Sequence, residues 1–307
     1  MAPLIAVTGA TGFIGRHLLQ ALPAQGFRVR ALLRRPAELP AEATGAVIGD
    51  IARPQNMAAA LEGVDAIVHS AALTPDLTGR PADDYRAMNT EATVALARAA
   101  QRAGVKRFVF LSSIRAQAGP SAAHVLTEAG TAAPESAYGE SKLAAEQGLA
   151  TLDIDWVALR PVLVYAPGMR GNMAELLRLA RSSWPLPFGS LTARRSLLAL
   201  DNLSGAVATV LAAPGPLRCA FVVADRDALT VGEMVAALRR GLGRRPGLLP
   251  VPVSLLRAAL HASGRAEAFR RLAEPLVVDA AALAALGWTP AVTTAAGLER
   301  LARDAPA

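Results

Sequence analysis

The segment Leu4-Ile5-Ala6-Val7-Thr8-Gly9-Ala10-Thr11-Gly12-Phe13-Ile14-Gly15 decides the fold of this 307-residue chain. An apolar run typical of a buried strand leads into a glycine-rich turn, and an amphipathic helical pattern follows over 15–25. Glycines at such a turn let the backbone approach a pyrophosphate at the positive end of a helix. The segment therefore predicts a dinucleotide-binding loop, with an ordinary turn as the alternative. Its candidate cofactor residues are Gly9, Thr11, Gly12, Phe13, Ile14 and Gly15.

The alternation of apolar runs and helical patterns continues beyond this loop. Strands are predicted at 4–8, 28–33, 66–70, 107–112, 156–160 and 220–223, and helices at 15–25, 84–103 and 138–150. Strands that alternate with helices in this way form parallel βαβ units. The sequence therefore predicts an α/β fold with a doubly wound parallel sheet of the Rossmann type.

The second half of the chain has a different pattern. From about Pro161 onward, proline and glycine interrupt short helical segments, which indicates a smaller and mostly helical C-terminal substrate lobe. The segment 196–211 reads as a strand and a helix that return to the main sheet. We therefore expect a dinucleotide-binding domain over residues 1–165 with a return segment at about 196–223, and a substrate lobe over 166–195 and 224–307.

Composition narrows the class of protein. A hydrophobic content of 52% can fill both lobes, and the single cysteine, Cys219, excludes an internal disulfide. The chain shows neither a secretory leader nor an apolar run long enough to span a bilayer, so the expected location is the cytoplasm. The net charge of +7 comes with scattered arginines and only 4% aromatic residues, which disfavours nucleic-acid binding.

The end of the second predicted strand bears on the choice of cofactor. NAD-binding proteins of this architecture place an acidic residue there for the ribose 2′-hydroxyl, whereas this chain has Leu33 followed by Arg34 and Arg35. A guanidinium can pair with a 2′-phosphate that a carboxylate would repel. The sequence therefore favours NADP(H), with NAD(H) as the alternative and a solvated arginine loop as the non-functional interpretation.

A tyrosine and a lysine stand four residues apart on a predicted helix, at Tyr138 and Lys142. This spacing places both on one helix face, where an ammonium group lowers the pKa of a phenol and allows it to accept or return a proton. On an exposed helix the same pair would be a solvated face. Ser112 and Ser113 end another predicted strand, at the carboxyl edge where ligands of such sheets bind.

Taken together, these segments resemble the extended short-chain dehydrogenase/reductases, the NAD-dependent epimerase/dehydratase family, over essentially the whole chain. The resemblance rests on the glycine loop, Gly49-Asp50-Ile51, His69-Ser70-Ala71-Ala72, Asn89, Ser112-Ser113, Tyr138 with Lys142, and Arg160-Pro161 leading to Tyr165. It implies Ser113, Tyr138 and Lys142 as catalytic residues. Besides the glycine loop and Arg34, the expected cofactor contacts are Asp50, Ile51, Ser70, Ala71, Ala72, Asn89, Tyr138, Lys142, Pro161 and Leu163.

Two polar residues keep a structural alternative. Asn89 matches a family asparagine that fixes a local backbone and water network, but it also suits a helix cap. His69 is interpreted as a positioned structural residue, since neither a second histidine nor an acidic partner lies nearby in the sequence. No metal site is predicted.

Segments of the second lobe resemble the nucleotide-sugar-binding regions of bacterial epimerases. They are Arg170-Gly171-Asn172-Met173 and Ala193-Arg194-Arg195-Ser196 followed by Asp201-Asn202. The resemblance implies a nucleotide-sugar substrate held by Ser113, Asn172 and Arg195, with Arg270 or Arg271 closing over the diphosphate. As surface charges, Arg270 and Arg271 would have no such role.

Within the family the chain is similar to UDP-sugar 4-epimerases and to 4-ketoreductases of the UDP-N-acetylquinovosamine type. Leu163 stands where the best-known epimerases have asparagine, and the NADP(H) prediction favours reduction. One alternative is an epimerase of a lipid-linked sugar diphosphate, with the basic, leucine-rich 255–272 on a membrane surface. Another is a non-catalytic NADP-binding regulator. The resemblance also implies a homodimer through the helices at 84–103 and 138–150.

Overall fold

The computed structural model describes residues 1–75, 79–169, 171–264 and 266–305, without the side chains of 266–268 and 271. Arg170 and the side chain of Arg271 therefore lie outside the described part. Within these ranges, no helix combines the length and the apolar character needed to cross a membrane.

A seven-stranded parallel sheet forms the centre of the molecule, in the order β10-β6-β5-β4-β1-β2-β3. This order confirms the predicted doubly wound fold and places the point where the strand order reverses between β1 and β4. The predicted strand bounds agree to within one residue at each end. The strands are β1 (Leu4–Thr8), β2 (Arg28–Leu33), β3 (Ala43–Val47), β4 (Ala66–His69), β5 (Arg107–Leu111), β6 (Asp155–Pro161) and β10 (Cys219–Val223).

Helices cover both faces of this sheet. One core joins one face of the central strands, with residues such as Val7, Val68 and Val109, to helices α1 and α7. The other core joins the alternate residues, such as Ala6 and Phe108, to α2, α4 and α5. The bounds are α1 (Phe13–Ala24), α2 (Met57–Leu61), α3 (Ala82–Tyr85), α4 (Ala92–Arg102), α5 (Ala137–Ala150) and α7 (Leu200–Ala212).

The helix predicted at 84–103 is interrupted by a π-helical turn. α3 runs into this turn at Arg86–Glu91, and α4 continues from it. A π turn inserts one extra residue into a helix and is frequent at functional sites. Here it contains Asn89, which lies inside the helix and fully buried rather than at its start. The alternative interpretation of Asn89 as a helix cap was therefore wrong.

The return segment differs from the expectation in one respect. Its strand β9 (Leu197–Ala199) pairs with β7 (Leu163–Tyr165) in a separate small sheet, so the prediction that this strand rejoins the main sheet was wrong. Helix α7 and strand β10, which follow it, do pack on and pair with the main sheet. The physical reason is that β6 already has β10 as its neighbour, which leaves no open edge there for β9.

The second lobe has its own core. Leu177, Phe188, Val235 and Leu298 pack together there with Tyr165 from β7. The Tyr165 hydroxyl donates to Asp225 at 3.0 Å, which links the two lobes. The elements of this lobe are β8 (Arg194–Arg195), β11 (Leu229–Thr230), α6 (Asn172–Arg181), α8 (Val231–Gly241), α9 (Val253–Ala262), α10 (Ala266–Ala273), α11 (Ala281–Ala285) and α12 (Thr294–Asp304).

Candidate active site

The glycine loop joins β1 to α1 in a geometry that only small residues allow. A Cβ on Gly15 would lie 2.1 Å from the Gly9 carbonyl oxygen, and a Cβ on Gly9 would lie 2.7 Å from the backbone nitrogen of Ala71. Gly9 also has a φ of +64°, which disfavours other residues. Helix α1 is thereby pressed against the end of β1, and β4 against the loop.

The N-terminus of α1 fits a pyrophosphate. Gly12 takes the N-cap position without a side-chain cap, and the first turn carries no acidic residue. The first backbone N–H groups of a helix have no partner within that helix, and the helix dipole favours negative charge at this end. The residues present here therefore suit the dinucleotide that the loop predicts.

The loops after β2 and β3 lie at the same edge of the sheet. Leu33 is buried at the end of β2, whereas Arg34 and Arg35 are exposed, and in the described part of the chain neither has a hydrogen-bond or ion-pair partner. Asp50 is exposed and accepts a hydrogen bond from the Ala52 N–H at 3.0 Å, while Ile51 is buried. Two free cations thus stand where a ribose-binding acid would otherwise lie.

The segment after β4 is held by a buried histidine. The His69 ring contacts the Thr8 hydroxyl at 2.7 Å through Nδ1 and the Thr93 hydroxyl at 2.9 Å through Nε2. Burial, with a smaller effect from the Lys142 charge, lowers the pKa of His69 to about 3, so the ring is neutral. Ser70 donates to the Thr8 carbonyl at 2.6 Å. These contacts tie β4 to β1 and place Ala71 and Ala72 beside the glycine loop.

Asn89 connects this segment to α5. Its Oδ1 accepts from the Leu73 N–H at 2.8 Å, and its Nδ2 donates to the Leu73 carbonyl and to the Ser141 hydroxyl, at 3.0 and 3.1 Å. Ser141 in turn donates to the Tyr138 carbonyl at 2.7 Å. The π turn places Asn89 so that one side chain fixes both the loop after β4 and the first turn of α5.

The three predicted catalytic residues meet where β5 ends and α5 begins. Ser113 follows β5 and accepts a hydrogen bond from the Arg115 N–H at 3.2 Å, and its side chain lies close enough to Tyr138 to lower the pKa of the phenol. Lys142 lies one turn beyond Tyr138, with its Nζ 6.0 Å from the centroid of the Tyr138 ring. Ser112 instead donates to the buried Glu146 carboxylate. Of the two serines, Ser113 is therefore the one that faces the tyrosine.

The electrostatics of the tyrosine differ from the expectation. Burial raises the pKa of Tyr138, and the hydrogen bond with Ser113 and the positive charge of Arg115 offset this rise only in part. The predicted lowering of the pKa by Lys142 is therefore not observed as the net effect. The reason is geometric, because Lys142 Nζ donates to the Leu111 carbonyl at 2.8 Å and lies 4.5 Å from the centroid of the Phe110 ring.

The pKa of Lys142 is also shifted. Burial lowers its pKa to about 7, and the nearby Glu146 carboxylate counteracts that shift in part. A lysine with such a pKa carries its charge for only part of the time near neutral pH, which makes it a group able to give or take a proton in that range. Its position beneath Tyr138 suits the support of proton transfer at the phenol.

A buried ion pair behind this site was missed from the sequence. Arg160 at the end of β6 donates to both carboxylate oxygens of Glu146, with its shortest contact at 2.6 Å, and to the Gln117 side chain at 3.1 Å. Gln117 then donates to the Thr127 carbonyl at 2.6 Å. Arg160 had been noted only as part of a family pattern, although Glu146 stands one helical turn after Lys142 and that spacing was a usable signal.

A cavity of about 780 Å³ lies between the glycine loop and the loop after β7. Its lining includes Thr11, Gly12 and Phe13 on one side and Val164, Pro167 and Met169 on the other. Among the predicted contacts near this loop, Leu163 is 44% exposed while Pro161 ends the buried strand β6. The volume and position suit part of an extended ligand.

The predicted substrate residues are spread over the second lobe. Asn172 is exposed at the start of α6, and Arg270 lies on α10 with its Nε 3.5 Å from Glu274. Arg195 donates to the Pro120 carbonyl at 2.9 Å and to the Glu274 carbonyl at 2.7 Å, so part of its guanidinium holds the loop after β5 to the second lobe. Asn202, from the same family pattern, is buried and donates to Asp225 at 2.7 Å.

Comparison with protein-family models assigns this architecture. Residues 5–224 match the model described as the NAD dependent epimerase/dehydratase family. The chain belongs to that family. The match covers the main sheet with its glycine loop and the Ser113, Tyr138 and Lys142 cluster, and it establishes an enzyme of the extended short-chain dehydrogenase/reductase type.

Curated relatives act on different kinds of molecule. A UDP-glucose 4-epimerase of Vibrio cholerae is 33% identical over 99% of this chain and 95% of its own length. A ceramide reductase of Caulobacter vibrioides is 29% identical over 81% of this chain and 74% of its own. An Escherichia coli N-acetyl-alpha-D-glucosaminyl-diphospho-ditrans,octacis-undecaprenol 4-epimerase is 26% identical over 82% and 77%. Family membership alone thus leaves the substrate open.

Solved structures share the whole fold. A UDP-N-acetylglucosamine 4-epimerase from Bacillus cereus superposes with a TM-score of 0.79 at 20% identity, covering 98% of each chain. MoeE5 in complex with UDP-glucose and NAD superposes with a TM-score of 0.72 at 27% identity, covering 97% of each chain. These superpositions include both the parallel sheet and the second lobe.

The buried ion pair gives a stability prediction. Arg160→Met removes the guanidinium from the buried Glu146 carboxylate, which keeps the Ser112 hydroxyl as a donor and the partly charged Lys142 nearby. We expect the free energy of unfolding to fall by about 3–5 kcal/mol in denaturant titration. The double variant Arg160→Met/Glu146→Leu should recover most of that loss. Arg218→Met, which breaks an exposed pair with Asp153, is the control and should cost under about 1 kcal/mol. Equal losses of unfolding free energy in Arg160→Met and Arg218→Met would contradict a stabilising role for the buried ion pair.

The low pKa of Lys142 gives a pH prediction. Below pH 7 the folded protein bears the full cost of a buried charged lysine, and this cost declines as pH rises from about 7 toward the ordinary lysine value. The unfolding free energy of Lys142→Met minus that of wild type should therefore be most positive at low pH. It should then shrink by about 1.4 kcal/mol per pH unit above 7. A difference for Lys142→Met that does not change with pH would refute the prediction.

Proposed function

We propose that this enzyme transfers hydride at a ring carbon of a nucleotide-activated sugar, either in C4 epimerisation or in reduction of a 4-keto sugar. The observation that carries the proposal is the cluster of Ser113, Tyr138 and Lys142 at the carboxyl edge of the sheet, beside a glycine loop that fits a dinucleotide. Support for the sugar comes from the Vibrio cholerae UDP-glucose 4-epimerase, which spans nearly the whole chain, and from MoeE5 with its UDP-glucose.

The residues of the chain provide the proton chemistry. A bound nicotinamide would accept or donate the hydride at the sugar carbon. Tyr138 exchanges the proton of the sugar oxygen, and the Ser113 hydroxyl, which faces the phenol, orients that oxygen. Arg115 is the positive charge that favours the phenolate, and Lys142, whose Nζ lies 6.0 Å from the centroid of the Tyr138 ring, loses or regains a proton near neutral pH. For the phenolate to form at neutral pH, the burial that raises the Tyr138 pKa has to be offset by positive charge.

The proposed cofactor is NADP(H), with NAD(H) as the alternative. The family is described as NAD dependent and MoeE5 holds NAD, which supports a nicotinamide cofactor in either form. The exposed Arg34 and Arg35 directly after the buried Leu33 support the phosphorylated form, because their guanidinium groups are free to pair with a 2′-phosphate. Exchangeable NADPH would accompany net reduction, whereas retained NAD would accompany epimerisation.

Tyr138→Phe tests the catalytic assignment. If the enzyme is an epimerase, wild type should convert UDP-glucose or UDP-N-acetylglucosamine to the C4 epimer without net change in nicotinamide absorbance. If it is a reductase, wild type should consume one NADPH for each UDP-4-keto sugar that it reduces. The variant lacks the proton-exchanging hydroxyl and should lose about 100-fold or more in kcat while its cofactor Kd is unchanged. Tyr85→Phe, whose ring lies edge-on to Tyr138 at 6.2 Å, is the matched control and should keep its activity. Full turnover by Tyr138→Phe would refute the mechanism.

Arg34→Gln tests the cofactor. Protein stripped of cofactor should bind NADPH more tightly than NADH, and the variant should lose about 10- to 100-fold in NADPH affinity with little change for NADH. Arg28→Gln, at the exposed opposite end of β2, is the control. Tightly retained NAD, or equal losses for both cofactors, would reject NADP(H) and favour a self-contained epimerase.

A further inference from the structure

One surface of the second lobe exposes large apolar side chains. Trp184 is 77% exposed, and Leu249, Val253 and Leu255 are 47%, 36% and 61% exposed. We call these four residues, with the arginines described below, the basic apolar face. In α9, which supplies two of them, Leu256 is the only residue that is buried. One side of that helix packs against α10, and the side that carries Val253 and Leu255 is exposed.

Backbone contacts make this face continuous. Leu186 N–H donates to the Gly247 carbonyl at 2.9 Å, and Leu249 N–H donates to the Leu186 carbonyl at 2.8 Å, so the segments after Trp184 and before Val253 run side by side. The buried Arg239 donates to the Trp184 carbonyl at 2.7 Å and to the Pro246 carbonyl at 2.8 Å, which fixes both segments to α8. The apolar side chains thus stand on a rigid framework.

The sequence of this region is basic, although its Arg240 pairs with Glu299 at 2.7 Å. Between Glu233 and Glu267 the sequence contains no acidic residue, while arginine stands at six positions: Arg239, Arg240, Arg244, Arg245, Arg257 and Arg265. Arg244, Arg245 and Arg257 are exposed, and no carboxylate of the described residues pairs with them. Arg257 lies over the Phe269 ring at 5.8 Å. The face thus combines an exposed tryptophan and aliphatic residues with unneutralised positive charge.

We propose that the basic apolar face docks on an anionic lipid bilayer. Tryptophan and leucine side chains favour the boundary between headgroups and acyl chains, and unpaired arginines favour anionic headgroups, so both properties point to one occupant. Nucleic acid would satisfy the arginines but not the exposed leucines and valine. The inference goes beyond the proposed reaction, since docking requires no particular sugar or cofactor.

The face connects with the candidate substrate region. Helix α10 packs against α9 and ends beside Glu274, whose carboxylate accepts from Ser121 at 2.7 Å and whose carbonyl accepts from Arg195 at 2.7 Å. Docking would therefore place the loop after β5 and Arg195 close to the lipid surface, where a substrate attached to a lipid carrier would also be found.

Tryptophan fluorescence tests the docking directly. Trp184 is the exposed tryptophan, whereas Trp288 is buried and Trp156 is half-buried. Vesicles of equal parts phosphatidylcholine and phosphatidylglycerol should shift the emission to shorter wavelength and should pellet the full-length protein on centrifugation. Vesicles of phosphatidylcholine alone should do so much less, and added salt should weaken the effect. Trp184→Phe should remove the spectral shift yet still pellet.

Charge variants separate a defined face from general basicity. Arg244→Gln/Arg245→Gln should lower the partition coefficient for the anionic vesicles by about fivefold per arginine removed, and Trp184→Ser/Leu255→Ser by about tenfold or more. Arg28→Gln/Arg102→Gln removes the same charge from exposed positions at the amino edge of the sheet and should change binding little. An unshifted Trp184 emission, or equal losses in the two arginine pairs, would overturn the proposal.

Discussion

The ion pair between Glu146 and Arg160 is the interaction on which the candidate active site depends. It joins α5, which carries the tyrosine and the lysine, to the end of β6 in the interior of the protein. Two charges removed from water are stable only when each has several partners. Glu146 has Arg160 and Ser112, and Arg160 also reaches Gln117. The rotation of α5 about its axis is thereby restricted to orientations that satisfy all four side chains.

This restriction has electrostatic consequences for α5. Lys142 and His69 are both fully enclosed, and burial lowers the pKa of each. His69 stays neutral and holds β4 to β1, while Lys142 has a pKa of about 7 and is charged for only part of the time at neutral pH. The Glu146 carboxylate prevents a still lower lysine pKa, so the buried ion pair influences the chemistry as well as the packing. A fixed anion behind a buried lysine is one means of setting its proton affinity without contact with the substrate.

The π turn at Arg86–Glu91 orients Asn89 toward both the loop after β4 and α5. A regular helix would rotate Asn89 by a large angle relative to the segment after β4, because the extra residue of the π turn would be missing. In the observed turn, Asn89 binds both the Leu73 backbone and Ser141. The loop beside the glycine turn and the first turn of α5 are then held by a single side chain, which keeps the two halves of the candidate site in register.

The sequence by itself determined the α/β fold and placed the glycine loop and the pair Tyr138 and Lys142, because hydrophobic periodicity and the spacing of motifs are local properties of the chain. The choice of Ser113 as their partner rested on the family resemblance. Strand β3 escaped prediction since Ala-Thr-Gly-Ala-Val contains only one large apolar residue and is mostly exposed. Only the tertiary structure decided that Arg160 pairs with Glu146, that β9 pairs with β7, and that burial raises the pKa of Tyr138. These outcomes depend on which segments meet and on how much water remains between them, and neither is written in local sequence.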